Sequence, residues 1–203
     1  MTNYLSALAA LLVAGGASAE PAAKLAAAPA GTHLAGAPHY RQGPGSTLTF
    51  TFDQAGAASQ GSFKQFTTDL AFDEQNLAGS SLDVKVQISS LDTQDKDRDQ
   101  TLAGADLFDV QKFPDATFVA SSLARNANGK VEAAGKLTLR GVTRDLRIPL
   151  VIKPTATGLE LTGETSINRL DYGIGQGEWK STEWVGDTVK LNYKVALIKA
   201  AGG

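Results

Sequence analysis

From Ser46 onward the hydrophobic positions of this chain recur at every second residue. Leu48, Phe50 and Phe52 alternate with Thr47, Thr49 and Thr51. An extended segment with that pattern puts its bulk on one face and its threonines on the other, as a half-buried strand does. The alternation returns in Leu82-Val84-Val86-Ile88 and in Leu146-Ile148-Leu150-Ile152. It returns again in Val189-Leu191-Tyr193-Val195-Leu197, where Lys190, Asn192 and Lys194 mark the wet face. Phe63 to Phe72, Ala116 to Leu123, Lys130 to Leu139 and Leu159 to Ile167 complete eight predicted strands.

Turn chemistry separates them: Gln75-Asn76-Leu77-Ala78-Gly79 after the second strand, Asn126-Ala127-Asn128-Gly129 after the fourth, Arg140-Gly141-Val142-Thr143 after the fifth. Loops this short make neighbours antiparallel. The expected fold is all-β: an eight-stranded antiparallel up-and-down barrel, with a short helical segment after the third strand. A barrel of that size has room inside for one ligand. A two-sheet sandwich is the competing architecture, because periodicity does not tell a closed sheet from two packed ones.

The start of the chain breaks this pattern. An apolar run from Leu5 to Ala14, two glycines and Ala17-Ser18-Ala19 read as an export signal over residues 1–19, cleaved after Ala19. The run is shorter than the ~20 residues that span a bilayer, and residues 2–19 carry no Lys or Arg. Residues 20–38, rich in Ala, Pro and Gly, form a flexible leader. The barrel domain is assigned to residues 40–200, and the mature protein is placed in the periplasm.

Composition narrows the chemistry. The chain has 203 residues, 42% hydrophobic and 20% charged, with a net charge of -2. That suits a single cored domain and gives no basic footprint for nucleic acid. With no cysteine, disulfides, thiol catalysis and an acylated lipoprotein anchor are excluded.

Asp95, Asp97, Asp99 and Asp106 fall on positions one, three, five and twelve of a calcium loop, but Gln100 stands where the sharp turn needs Gly, so a solvated loop entering a short helix fits better. Gly173-Ile174-Gly175-Gln176-Gly177 lacks the third glycine of a dinucleotide loop, since Glu178 stands there. The only histidines, His33 and His39, lie in or beside the leader, leaving no core histidine for acid–base or metal chemistry. Phe108, Phe113 and Phe118 cluster around the helical connection, and Trp179 and Trp184 flank the glycine-rich turn. These aromatics either cap a pocket or plug a small barrel.

Several blocks together resemble the YceI-like family. They are Arg98-Asp99-Gln100-Thr101-Leu102, Ala105-Asp106-Leu107-Phe108-Asp109 and Lys112-Phe113-Pro114-Asp115-Ala116-Thr117-Phe118. With them come Gly61 to Phe66 leading to Phe72-Asp73, Gly135 to Thr143, and Asn168-Arg169-Leu170-Asp171-Tyr172-Gly173-Ile174, in the same order. The resemblance covers roughly residues 40 to 198. Tyr40 and Ser46-Thr47-Leu48 stand where the family often has a Trp and a His-Ser pair.

The resemblance implies a lipocalin-like barrel whose apolar tunnel holds a long isoprenoid, and no enzyme. Gly175-Gln176-Gly177-Glu178-Trp179 further resembles the branch associated with membrane cytochromes of the b561 type, which suggests an isoprenoid quinone and such a cytochrome as partner. A homodimer is carried as an association state. Leu48, Phe50, Phe52, Phe118, Leu137 and Leu139 are the lining candidates, with Phe108 and Trp179 near a mouth; no catalytic or metal residues are assigned. Arg98 and Asp99 either fix the helical connection or offer Arg98 to the ligand's polar head. Two other functions stay open: a ligand-free structural or stress-response module with a filled barrel, and an enzyme acting on such a lipid.

Overall fold

The computed structural model describes residues 36–200. The expected export signal, and the leader as far as residue 35, lie outside the described residues. One antiparallel sheet contains β1 (His39–Gln42), β2 (Thr47–Gln54), β3 (Ala57–Phe63), β4 (Phe66–Ala71), β5 (Ser81–Gln87) and β6 (Leu91–Asp92). It continues, after helix α1 (Lys96–Ala103), with β7 (Asp115–Ala120), β8 (Leu123–Arg125), β9 (Val131–Leu139), β10 (Val142–Pro154), β11 (Gly158–Asn168) and β12 (Val185–Lys199).

Pairing runs β1-β4-β5-β7-β9-β10-β11-β12, and β12 returns to β1. That closure makes an eight-stave antiparallel barrel with a short helix after the third stave, and it settles the sandwich alternative. The further segments are pieces of the same staves. β1 and β2 are two halves of one bent strand: β12 pairs with β2 along Val185–Lys194 and with β1 along Leu197–Lys199. β3 and β4 are likewise halves, parted at Lys64-Gln65, and β8 continues β7 along the edge of β9.

Alternation builds the interior as predicted. Phe50 and Phe52 of β2 are buried, and the Phe50 ring sits 5.1 Å from that of Phe63 on β3. That tilted contact leaves the Phe50 ring over Gly61, where a Cβ would lie 2.4 Å from Phe50 Cζ. The β9–β10 hairpin turns on Arg140 and Gly141, both at positive φ, so that Leu139 faces Val142 across a two-residue loop.

One seam of the barrel is unzipped. β10 pairs with β9 from Val142 to Leu150 but with β11 only from Val151 to Pro154, opposite Thr162 to Leu159. From Gly163 to Asn168, β11 pairs with β12 alone. The fork falls at Pro149, which has no N–H to give the ladder. Its carbonyl instead accepts from the Tyr193 hydroxyl, which reaches over from β12. The crossing needs Gly163, since a Cβ there would lie 2.4 Å from that hydroxyl. At the far end Arg144 ties the strands' flanks: its Nε donates to the Asp171 carbonyl at 2.8 Å, and its Nη2 lies 3.6 Å from Asp171 Oδ1.

Candidate functional site

Two adjoining cavities occupy the bore, of about 140 and 110 Å³. Leu48, Val86, Ala116, Leu137 and Leu191 line both and form the girdle between them. The first cavity is walled by Phe50, Phe52, Phe63 and Leu139 and floored by Leu102, Leu107 and Phe108 from α1 and the loop behind it. The second takes Phe118, Leu82, Leu146, Ile148 and Leu161. The six residues expected on the lining, Leu48, Phe50, Phe52, Phe118, Leu137 and Leu139, stand on these walls, and so does Phe108, expected near a mouth.

Trp179 does not stand on them. It packs half-buried against the core, and its contribution to the site is a carbonyl. Phe113 also lies away from the bore, with its ring under Arg140 and Lys112. Trp184 is 70% exposed.

The residue that sequence reasoning left without a role is Arg169. Its side chain is buried, and all five guanidinium donors go to backbone carbonyls. Nε donates to Gly186 at 3.0 Å, Nη1 to Ile174 at 2.9 Å and Trp179 at 2.8 Å, and Nη2 to Ser181 at 3.2 Å and Val185 at 2.8 Å. Between Ile174 and the start of β12 at Val185 the only regular element among the described residues is the one turn at Gly177–Lys180. A planar five-donor fork supplies what the strands elsewhere supply. Burial lowers the Arg169 pKa and nearby Asp187 raises it again, while Asp187 Oδ1 accepts from the Leu170 N–H at 3.1 Å. Asp106 stitches this cap to the opposite loop: its carbonyl accepts from Gly175 N at 2.9 Å and Gln176 N at 2.8 Å. The signal was present in Asn168 to Tyr172, an arginine directly ahead of a glycine-rich stretch.

The aspartates of the helical connection are structural. Asp95 caps α1, accepting from Asp97 N and Arg98 N, and the Arg98 Nη2 lies 3.3 Å from its carboxylate. The Arg98 backbone and side chain lower the Asp95 pKa. Arg98 therefore faces the helix start and not the bore. Asp99 Oδ1 accepts from Thr93 N at 2.9 Å and Thr93 Oγ1 at 2.6 Å. Asp99→Ala leaves the Thr93 N–H without its acceptor and the buried Thr93 hydroxyl with only a long contact of 3.4 Å to the Asp95 carbonyl, and is expected to cost about 1–3 kcal/mol in urea unfolding. Asp99→Asn, which keeps an acceptor oxygen, should recover most of that loss.

Outside the open seam lies a polar cleft of about 540 Å³, edged by Lys136, Arg144, Asp145, Ser166, Asp171 and Tyr172. Leu146 lines both this cleft and the second cavity, and Ile167 both the cleft and the first. Seam and bore thus share walls. Among the described residues lining the two cavities there is no carboxylate, histidine or lysine. The arrangement offers hydrocarbon contact and few groups that move protons.

A family model described as a YceI-like domain matches residues 42–197. A UPF0312 protein of Vibrio parahaemolyticus is 38% identical over 89 residues, 44% of this chain and 47% of that protein, so the match spans about half of that relative. A UPF0312 protein of Shewanella sp. strain ANA-3 is 32% identical over 145 residues, 66% of this chain and 74% of that one. Among solved structures, BcnA of Burkholderia cenocepacia superposes with a TM-score of 0.71 at 30% identity, covering 74% of this chain and 94% of BcnA. A polyisoprenoid binding domain of Saccharophagus degradans shares the fold alone, at 15% identity and a TM-score of 0.65, over 81% of this chain and 99% of that domain. Closed eight-stave barrel, ordered sequence blocks and a family match over most of the described residues agree, and the chain belongs to the YceI-like family.

Proposed function

We propose that this protein is a binding protein and not an enzyme, carrying one long-chain isoprenoid lipid of the polyprenyl or quinone type inside its barrel. The observation that carries the reading is the pair of adjoining apolar cavities in a closed barrel capped by Arg169 and Asp106. An empty apolar cavity of about 150 Å³ stays dry and takes a ring the size of benzene. Each cavity here is of that order, and each CH₂ buried from water contributes about 0.8 kcal/mol before ordering costs. The Saccharophagus domain with the same fold is described as binding polyisoprenoid. Leu48, Phe50, Phe52, Phe108, Phe118, Leu137 and Leu139 supply the contact, and Trp179 acts through the cap.

A barrel filled by its own side chains would have left no such paired voids, which favours a carrier over a ligand-free module. Among the described residues no helix is long and apolar enough to cross a membrane. The proposal places the carrier in the periplasm after export, with delivery to a membrane cytochrome of the b561 type as its redox use.

Native mass spectrometry on protein purified from its own periplasm, followed by organic extraction, tests this reading. A stoichiometric isoprenoid or quinone is the expected result. An empty protein that also refuses added geranylgeraniol and ubiquinone overturns it.

A further inference from the structure

Inside the second cavity one polar atom has nothing to bind. Thr68, on β4, is 2% exposed, and its Oγ1 has no hydrogen-bond partner. It lines the cavity beside hydrocarbon: Leu82, Val84 and Phe118. Three half-buried hydroxyls share this lining: Tyr193 donates to the Pro149 carbonyl, and Thr117 and Thr165 are partly open to solvent, so Thr68 is the fully buried one left without a partner. Buried polar side chains are paired in the great majority of cases, and an orphaned one needs an explanation. A water is a poor one here, since a buried water makes about three hydrogen bonds and the neighbouring walls offer few.

Position adds a second argument. β4 and β10 stand four places apart in the ring of eight, so Thr68 lies on the wall across the bore from the open seam between β10 and β11. Charge adds a third. Among the described residues the one cation on the cavity walls is Arg169, and its five donors are all bound to carbonyls. A phosphate drawn into the bore would meet no free counter-charge, and burying an unpaired charge is prohibitive.

We infer that the second cavity is a head-group chamber for an uncharged oxygen, the hydroxyl of a prenol or the carbonyl of a quinone, held by Thr68 Oγ1. The inference rests on the carrier reading and deepens it: the ligand is selected for a neutral head, and an anionic one is left in water.

The test compares Thr68→Val, close in shape but without the hydroxyl, with the unmodified protein. The probes are geranylgeraniol, the matching C20 hydrocarbon lacking the hydroxyl, and geranylgeranyl phosphate. The unmodified protein is expected to bind the alcohol more tightly than the hydrocarbon and the phosphate. Thr68→Val should weaken the alcohol about tenfold and leave the hydrocarbon unchanged, a loss of one hydrogen bond. Thr68→Ser should restore the alcohol. The melting temperature of the empty valine variant should not fall, because the hydroxyl it removes is unpaired. Equal weakening of alcohol and hydrocarbon, or no weakening of the alcohol, overturns the inference. An unmodified protein that binds none of the three overturns the carrier reading with it.

Discussion

Arg169→Ala is expected to destabilise the protein by about 3–5 kcal/mol, read as a lower urea midpoint at unchanged slope. The substitution removes five donors at once and leaves the carbonyls of Ile174, Trp179, Ser181, Val185 and Gly186 without them. Each orphaned buried acceptor costs about 1–3 kcal/mol, and the sum is tempered because carbonyls near the cap's edge regain water. Arg169→Lys keeps the charge but has three donors on one atom and does not span the same carbonyls, so it should recover only part of the loss. A cost below about 1 kcal/mol for the alanine variant would mean that the cap holds without its arginine. Lipid retention should fall as well, since Ile174 and Val185 of the cap wall the first cavity.

Leu137→Trp should abolish long-chain binding while sparing the fold. Leu137 is in the girdle shared by both cavities, and an indole there fills the passage between them. Overpacking costs about 1–3 kcal/mol in general, and adjoining void space keeps the cost here at the low end. Affinity for geranylgeraniol should drop about a hundredfold, equivalent to about 2.7 kcal/mol of lost burial. A single-ring probe such as benzene should still enter the cavity left over, a contrast readable by titration calorimetry. Undiminished geranylgeraniol binding would show that the chain does not run through the girdle.

The strands were legible because period-two alternation is imposed by the backbone itself: Leu48, Phe50 and Phe52 had to share a face whatever they packed against. The same logic placed Leu137, Leu139 and Phe118 on the bore. Barrel closure was expected from eight short-looped strands and from the family resemblance, but alternation alone did not carry it, because closure depends on which strand meets β12 and the four residues of β1, His-Tyr-Arg-Gln, carry no alternation. Trp179, expected near a mouth for its bulk, packs half-buried against the core and gives the cap its backbone carbonyl. Arg169 escaped because its partners are main-chain groups, and its one cue in the sequence is its place just ahead of the glycine-rich stretch. Thr68 was readable in principle, as a polar residue at an inward position between Phe66 and Leu70.

The unzipped seam gives the barrel an unusual mechanics. In a fully laddered tube the girth is a hoop held in tension by hydrogen bonds on every side, and stretching it breaks them. Between Asp145 and Leu150 that hoop is cut, and what sets the circumference there is side-chain contact, the Tyr193 strut and the Arg144–Asp171 clasp. The molecule is a sleeve with a slit, hooped by backbone around most of its wall and laced by side chains along one line.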